Sequence, residues 1–78
     1  MLDRDLLQWA SADSWAEALL IALDRVERIR AQTGDRMARQ AIYWSPNRYA
    51  RNGVGYWVIS SYKRGGRYVG VHRAVART

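Results

Sequence analysis

Apolar residues recur with a helical period from Trp15 onward. Trp15, Leu19, Ala22, Leu23, Val26 and Ile29 fall at i, i+4, i+7, i+8, i+11 and i+14, a single stripe of a 3.6-residue repeat. Ser14 followed by Glu17 fits a capping box at the start of this segment, and Gly34 supplies the residue type that ends helices. Asp24 to Arg28 is an i,i+4 pair in the favourable order. Ahead of the helix, Asp3 to Trp9 fits a short extra helical turn with Leu2, Leu6 and Leu7 on its apolar side.

The period changes after Gly34. Ala38 to Trp44 alternates weakly, Val54 to Tyr62 is rich in β-branched and aromatic residues, and Arg67 to Val75 places Val69, Val71 and Val75 on one face. Gly65-Gly66 between the last two segments is a two-residue hairpin signal, because glycine tolerates the positive φ of type I′ and II′ turns. Pro46 and Asn52-Gly53 punctuate the longer connection before Val54. The pattern predicts an α+β fold with the order α-β-β-β, one main N-terminal amphipathic helix packed on a three-stranded antiparallel sheet. One helix covers one face of such a sheet. Val54, Tyr56, Val58, Ser60 and Tyr62, with Val69, Val71 and Val75, form the more β-branched face and are expected beneath the helix. Trp57, Ile59, Lys63, Tyr68 and His72 are then expected on the open face.

Composition adds charge to this outline. The chain of 78 residues has a formal net charge of +6 and no cysteine, so it fits a single domain, 1–78, with no disulfide brace. Residues 1–35 hold all seven acids against four arginines, a balance of −3. Residues 36–78 hold nine bases, no acid and seven of the nine aromatics. The helical part is thus acidic and the strand part strongly basic, and a segment at +9 repels itself unless it meets an anionic partner. The longest apolar run, Ala18 to Leu23, is too short to span a membrane, and Asp3 and Asp5 stand where a signal peptide carries positive charge. No membrane association is expected, and a reducing, cytoplasmic setting is the plain reading.

Basic residues interleave with aromatics at Arg48-Tyr49-Ala50-Arg51, Tyr56-Trp57 and Tyr62-Lys63-Arg64-Gly65-Gly66-Arg67-Tyr68. Arginine forks bind carboxylate and phosphate bidentately, and Trp, Tyr and Arg are common interface anchors. The candidate partner-binding or nucleic-acid-binding residues are therefore Arg48, Arg51, Trp57, Lys63, Arg64, Arg67, Tyr68 and Arg73. One histidine and no cysteine leave no metal site, no cofactor motif and no Ser-His-Asp arrangement among the strands. No catalytic residue is assigned and the chain reads as a non-enzyme. Metal-independent RNA cleavage by His72, with Arg73, Lys63 and Tyr68 around the phosphate, stays open.

In size and layout the whole chain resembles the small anti-CRISPR proteins of phages and other mobile elements. That resemblance implies a binding protein that blocks target loading or nuclease recruitment on a CRISPR effector complex, in the cytoplasm of a bacterial host. The segment Tyr68-Val69-Gly70-Val71-His72-Arg73 is loosely similar to the last strand of RelE-like toxins, which with the HicA-like toxins are small basic ribonucleases. The expected partners are an acidic protein surface or nucleoprotein complex, with direct single-stranded DNA or RNA binding as the alternative. A homodimer is compatible with so small a core.

Overall fold

The computed structural model describes residues 2–64 and the backbone of residues 67 and 68. A 3₁₀ turn over Arg4–Leu7 leads into strand β1 (Ala10–Ala12), helix α1 (Trp15–Thr33), strand β2 (Ile42–Pro46) and strand β3 (Gly55–Ile59). A two-residue ladder between β4 (Lys63–Arg64) and β5 (Arg67–Tyr68) follows.

The helix begins and ends where its sequence signals lie. Ser14 Oγ accepts the Glu17 backbone N–H at 3.1 Å, and Glu17 Oε1 accepts the N–H of Asp13 at 3.0 Å. Gly34 stops the helix in the left-handed region at φ 76°, donating its N–H to Arg30 O at 2.9 Å.

The α+β architecture holds, with one helix over a three-stranded antiparallel sheet, but the third strand is not the expected one. The strand order is β1-β3-β2, so Ala10–Ala12, ahead of the helix, occupies the edge assigned above to residues 67–75. Both edge strands run antiparallel to β3 and therefore parallel to each other. Helix α1 carries the chain from one edge to the other across the central strand, as in a split β-α-β unit. After Ile59 the chain leaves the ladder. Ser60 N–H still reaches Ala41 O at 2.9 Å, but Tyr62 N–H turns to Leu6 O at 2.9 Å. Lys63 and Arg64 consequently pair with Tyr68 and Arg67 in a separate ladder, in the register expected of the last hairpin. Gly65, Gly66 and residues 69–78 of that hairpin lie outside the described residues.

On β3 the helix meets the face opposite to the expected one, while Val58 on the other face is buried as well. Ala12, Ala18, Ala22 and Ile59 form a buried cluster, with Ala10, Ile21, Ile42 and Trp57 packed against it, so the helix lies over the Trp57/Ile59 face of β3. The helix is also rotated from its expected stripe. It buries Ala18, Ala22, Arg25 and Ile29 and leaves Leu19, Leu20 and Leu23 exposed. The sheet supplies the bulky side chains at this interface and the helix supplies alanines, which lets the two layers approach closely. A second cluster of Leu6, Ile29, Ala38 and Tyr62 closes the other end of the helix, where the Tyr62 hydroxyl donates to Asp35 Oδ2 at 2.8 Å.

Polar contacts tie the N-terminal segment to the helix. Arg25 is buried and donates to Gln8 O at 2.5 Å, and burial lowers its pKa from the ordinary arginine value. Arg28 donates to Asp3, Asp5 and Asp24 at 3.0, 2.8 and 3.1 Å. Hydrogen bonds from Gln32 and then Arg28 hold the Asp3 carboxyl below its usual 3.8, and the bond from Arg28 does the same for Asp5.

Carboxyl groups with depressed folded pKa values stabilise the fold above their unfolded pKa and lose that contribution as pH falls through the folded values. Urea unfolding followed by circular dichroism is therefore expected to show wild-type stability dropping below about pH 4. The double substitution Asp3→Asn/Asp5→Asn is expected to lower stability at pH 7 and to close the gap with wild type at pH 2–3. A gap that is independent of pH would exclude this origin.

Gly55 gives a second test of the fold. A Cβ there would fall 2.8 Å from Trp44 Cζ2 and 2.9 Å from Pro46 Cα, and closer still to the Ser45 carbonyl oxygen. Its φ of 156° adds backbone strain for any L side chain. Gly55→Ala is expected to cost about 2–4 kcal/mol in the same unfolding measurement.

Candidate anion-binding surface

Acid and base are largely segregated in space as in sequence, although Asp35 lies beside Arg39, Lys63 and Arg64. Among the described residues, Arg36, Arg39, Arg48, Arg51 and Arg64 are all exposed, and none forms an ion pair with a carboxylate. Three of the acids are spent on Arg28, on the helical side of the molecule. The expected excess of positive charge therefore reaches solvent, offset in part by Asp35.

The β2–β3 ladder divides four of these arginines between its two ends, and Arg36 lies beside the C-terminus of α1 with Arg30, Ala31 and Gly34. At one end, the connection 47–54 presents Arg48, Tyr49 and Arg51. Two asparagines wire this loop. Asn47 Oδ1 accepts the Tyr49 N–H at 2.8 Å, while Asn52 Oδ1 accepts the N–H groups of Val54 and Gly55, each at 2.9 Å. Backbone bonds from Asn47 N–H to Val54 O at 2.8 Å and from Gly53 N–H to Ala50 O at 2.9 Å close it, with Gly53 at φ 73°. Arg48 lies over the ring of Tyr49, 5.0 Å from its centroid, and Tyr49 is 75% exposed. A shallow cleft between Pro46, Tyr49 and Val54 adjoins the pair. The loop thus offers a cation stacked on an aromatic face, held by its own hydrogen bonds.

At the other end, Arg39, Lys63 and Arg64 line an open groove of about 550 Å³ together with Asp35, Met37 and Gln40. The Asp35 carboxylate is already engaged, accepting from Tyr62 O–H at 2.8 Å and Met37 N–H at 3.1 Å. Met37 is largely exposed. Gln40 donates through Nε2 to the Ser61 carbonyl at 3.4 Å, whereas its Oε1 is buried without a hydrogen-bond partner. The groove combines three cationic side chains and an apolar thioether with the Asp35 carboxylate.

The predicted site residues therefore do not form one patch. Arg48 and Arg51 lie on the loop, and Lys63 and Arg64 lie on the groove at the far end of the ladder. The five-residue ladder between them spans roughly 17 Å. Trp57 is not on an open face. It is half-buried between Trp15 and Trp44, edge to face with each at centroid distances of 5.2 and 5.3 Å, which makes it part of the helix–sheet interface. Arg67 and Tyr68 pair through their backbones with Arg64 and Lys63. Arg73 and His72 lie outside the described residues. The site list omits Arg39, Met37 and Gln40, which reach the groove only because the chain runs straight from Ala38 into β2. The acid-free run beginning at Arg36 was the one signal pointing there.

Among the described residues no helix is long and apolar enough to cross a membrane. Compared with protein-family models, with curated proteins and with solved structures, the chain finds no match.

The wiring of the loop is open to test. Asn52→Ala removes an acceptor shared by two backbone N–H groups, and the expected loss is about 1–2 kcal/mol. Amide hydrogen exchange should accelerate at Val54 and Gly55 while the helix amides keep their protection.

Proposed function

We propose that the chain is a non-enzymatic binding protein that captures an acidic protein or nucleoprotein surface through its arginine-rich β half. The observation that carries this reading is the set of five exposed arginines with no carboxylate ion pair among the described residues, four of them at the ends of one ladder. The small anti-CRISPR proteins that the chain resembles in size and layout act in this manner. On this reading the partner is a CRISPR effector complex, whose target binding or nuclease recruitment is blocked by occupation of an acidic surface in the bacterial cytoplasm. Arg39, Lys63 and Arg64 attract carboxylates, and the exposed Met37 side chain offers apolar contact. An acidic polypeptide segment answers both, and a phosphodiester backbone answers only the cations.

Direct binding of single-stranded nucleic acid is a second reading, favoured by Arg48 stacked on the exposed Tyr49 ring. An RNA-cleaving role through His72 rests on a residue outside those described.

Two measurements separate these readings. Immobilised protein offered extracts of cells that express CRISPR effector complexes should retain an effector, and Arg39→Glu/Arg64→Glu should lose it. Failure to retain any effector in several hosts would remove the inhibitor reading. Fluorescence anisotropy with a labelled single-stranded oligonucleotide should show a salt slope of about −0.7 per neutralised phosphate if nucleic acid is the ligand. No binding near 50 mM salt would end that second reading.

A further inference from the structure

Among the described residues, one flank of helix α1 is apolar and largely exposed. Trp15, Leu19, Leu20 and Leu23 line it, and Trp44 continues it onto the sheet edge through the Trp15–Trp57–Trp44 contacts. Leu20 is 69% and Leu23 59% exposed, and Trp15, Leu19 and Trp44 are each at least 39% exposed. Together these five side chains offer roughly 500 Å² of apolar surface, at the upper end for a monomer and more than half of what one partner buries in a standard interface.

We propose that this flank is the self-association surface of the chain, a two-fold dimer in which α1 packs antiparallel to α1 of a second copy. The distribution of charge along the flank supports both the occupant and its direction. In the sequence Asp13 and Glu17 stand at the N-terminal end of the leucine patch and Glu27 and Arg30 beyond its C-terminal end, where Arg30 Nη2 also donates to Ala38 O at 3.5 Å. In an antiparallel pair centred on Leu20 and Leu23, Arg30 of each copy lies beside Asp13 of the other, and the two helix dipoles oppose. A parallel pair would instead set Arg30 against Arg30 and Asp13 against Asp13. Self-complementarity needs an apolar centre that meets itself across the two-fold axis, and the leucine row supplies it. Arg39, Arg48, Arg51 and Arg64 lie at the sheet ends, outside the flank, so dimerisation leaves them exposed and doubles them.

Sedimentation equilibrium from about 10 to 500 µM tests the proposal, because the mass of a reversible dimer rises with concentration. Wild type is expected to approach twice the 9.0 kDa of one chain. Leu20→Glu/Leu23→Glu changes two solvent-facing positions, so its helical circular dichroism should be retained while the dimer dissociation constant rises at least about tenfold. Asp13→Arg and Arg30→Asp should each weaken the dimer, and the two combined should restore it. A wild-type chain that stays monomeric throughout overturns the proposal, including one whose flank takes up lipid vesicles or an apolar dye instead. A dimer that survives the leucine changes, or ignores both charge changes, overturns it equally.

Discussion

The contact between the alanines of α1 and the Trp57/Ile59 face of β3 sets the rest of the molecule. Ala18 and Ala22 are buried against Ala12 and Ile59, with Trp57 and Ile42 packed around them. Pairing small helix residues with large strand residues fixes the rotation of the helix, since turning it to bury the leucines would push bulk into bulk. The same contact explains the topology. A helix lying over the central strand must be entered from one edge of the sheet and left toward the other, so β1 and β2 flank β3. Gly55 then provides the space at the end of β3 into which the Trp44 ring leans.

Two consequences follow from that rotation. Leu19, Leu20 and Leu23 are displaced onto a solvent flank, and Arg28 is brought over the N-terminal segment where Asp3 and Asp5 reach it. The acidic side therefore neutralises its charge within itself instead of folding back over the basic strands. This is why a net excess of positive charge appears at the ends of the β2–β3 ladder, offset at the groove by Asp35. Exposed ion pairs of this kind contribute modestly to stability and weaken with salt. Their effect here lies more in where they leave the remaining charge than in how tightly they hold the fold.

Local signals were legible where one residue type decides the local structure. Ser14, Glu17 and Gly34 bound the helix as expected, because capping chemistry does not depend on what packs nearby. Asn52-Gly53 likewise marked the turn before β3. Strand β1 was not legible, since Ala-Ser-Ala has neither length nor β-branched residues and is a strand only because β3 lacks a partner on that edge. The covered face was misread for a related reason. Val54 and Val58 outweigh Trp57 and Ile59 in β-propensity, yet Val54 falls outside the ladder and propensity does not say which face meets a helix. The helix stripe failed because Leu19, Leu20 and Leu23 make a stronger apolar row than Ala18 and Ala22, and volume matching rather than hydrophobicity chose between them. Of the site, the arginine content was legible, but its division between two ends depends on strand order.

That division constrains what the partner is. Arg48 and Arg51 are separated from Arg39 and Arg64 by the length of the ladder, so no small anion touches both sets. A ligand that uses all of this charge is extended, either an acidic protein surface or a nucleic-acid strand. Its two ends would meet different chemistry. The loop end offers a cation stacked on tyrosine, and the groove end offers cations and a carboxylate around an exposed methionine. A uniform polyanion has no use for that difference, whereas a folded acidic partner with distinct side chains at each end does. The asymmetry of the two ends thus favours a partner recognised by shape and side-chain identity, with charge providing the initial attraction.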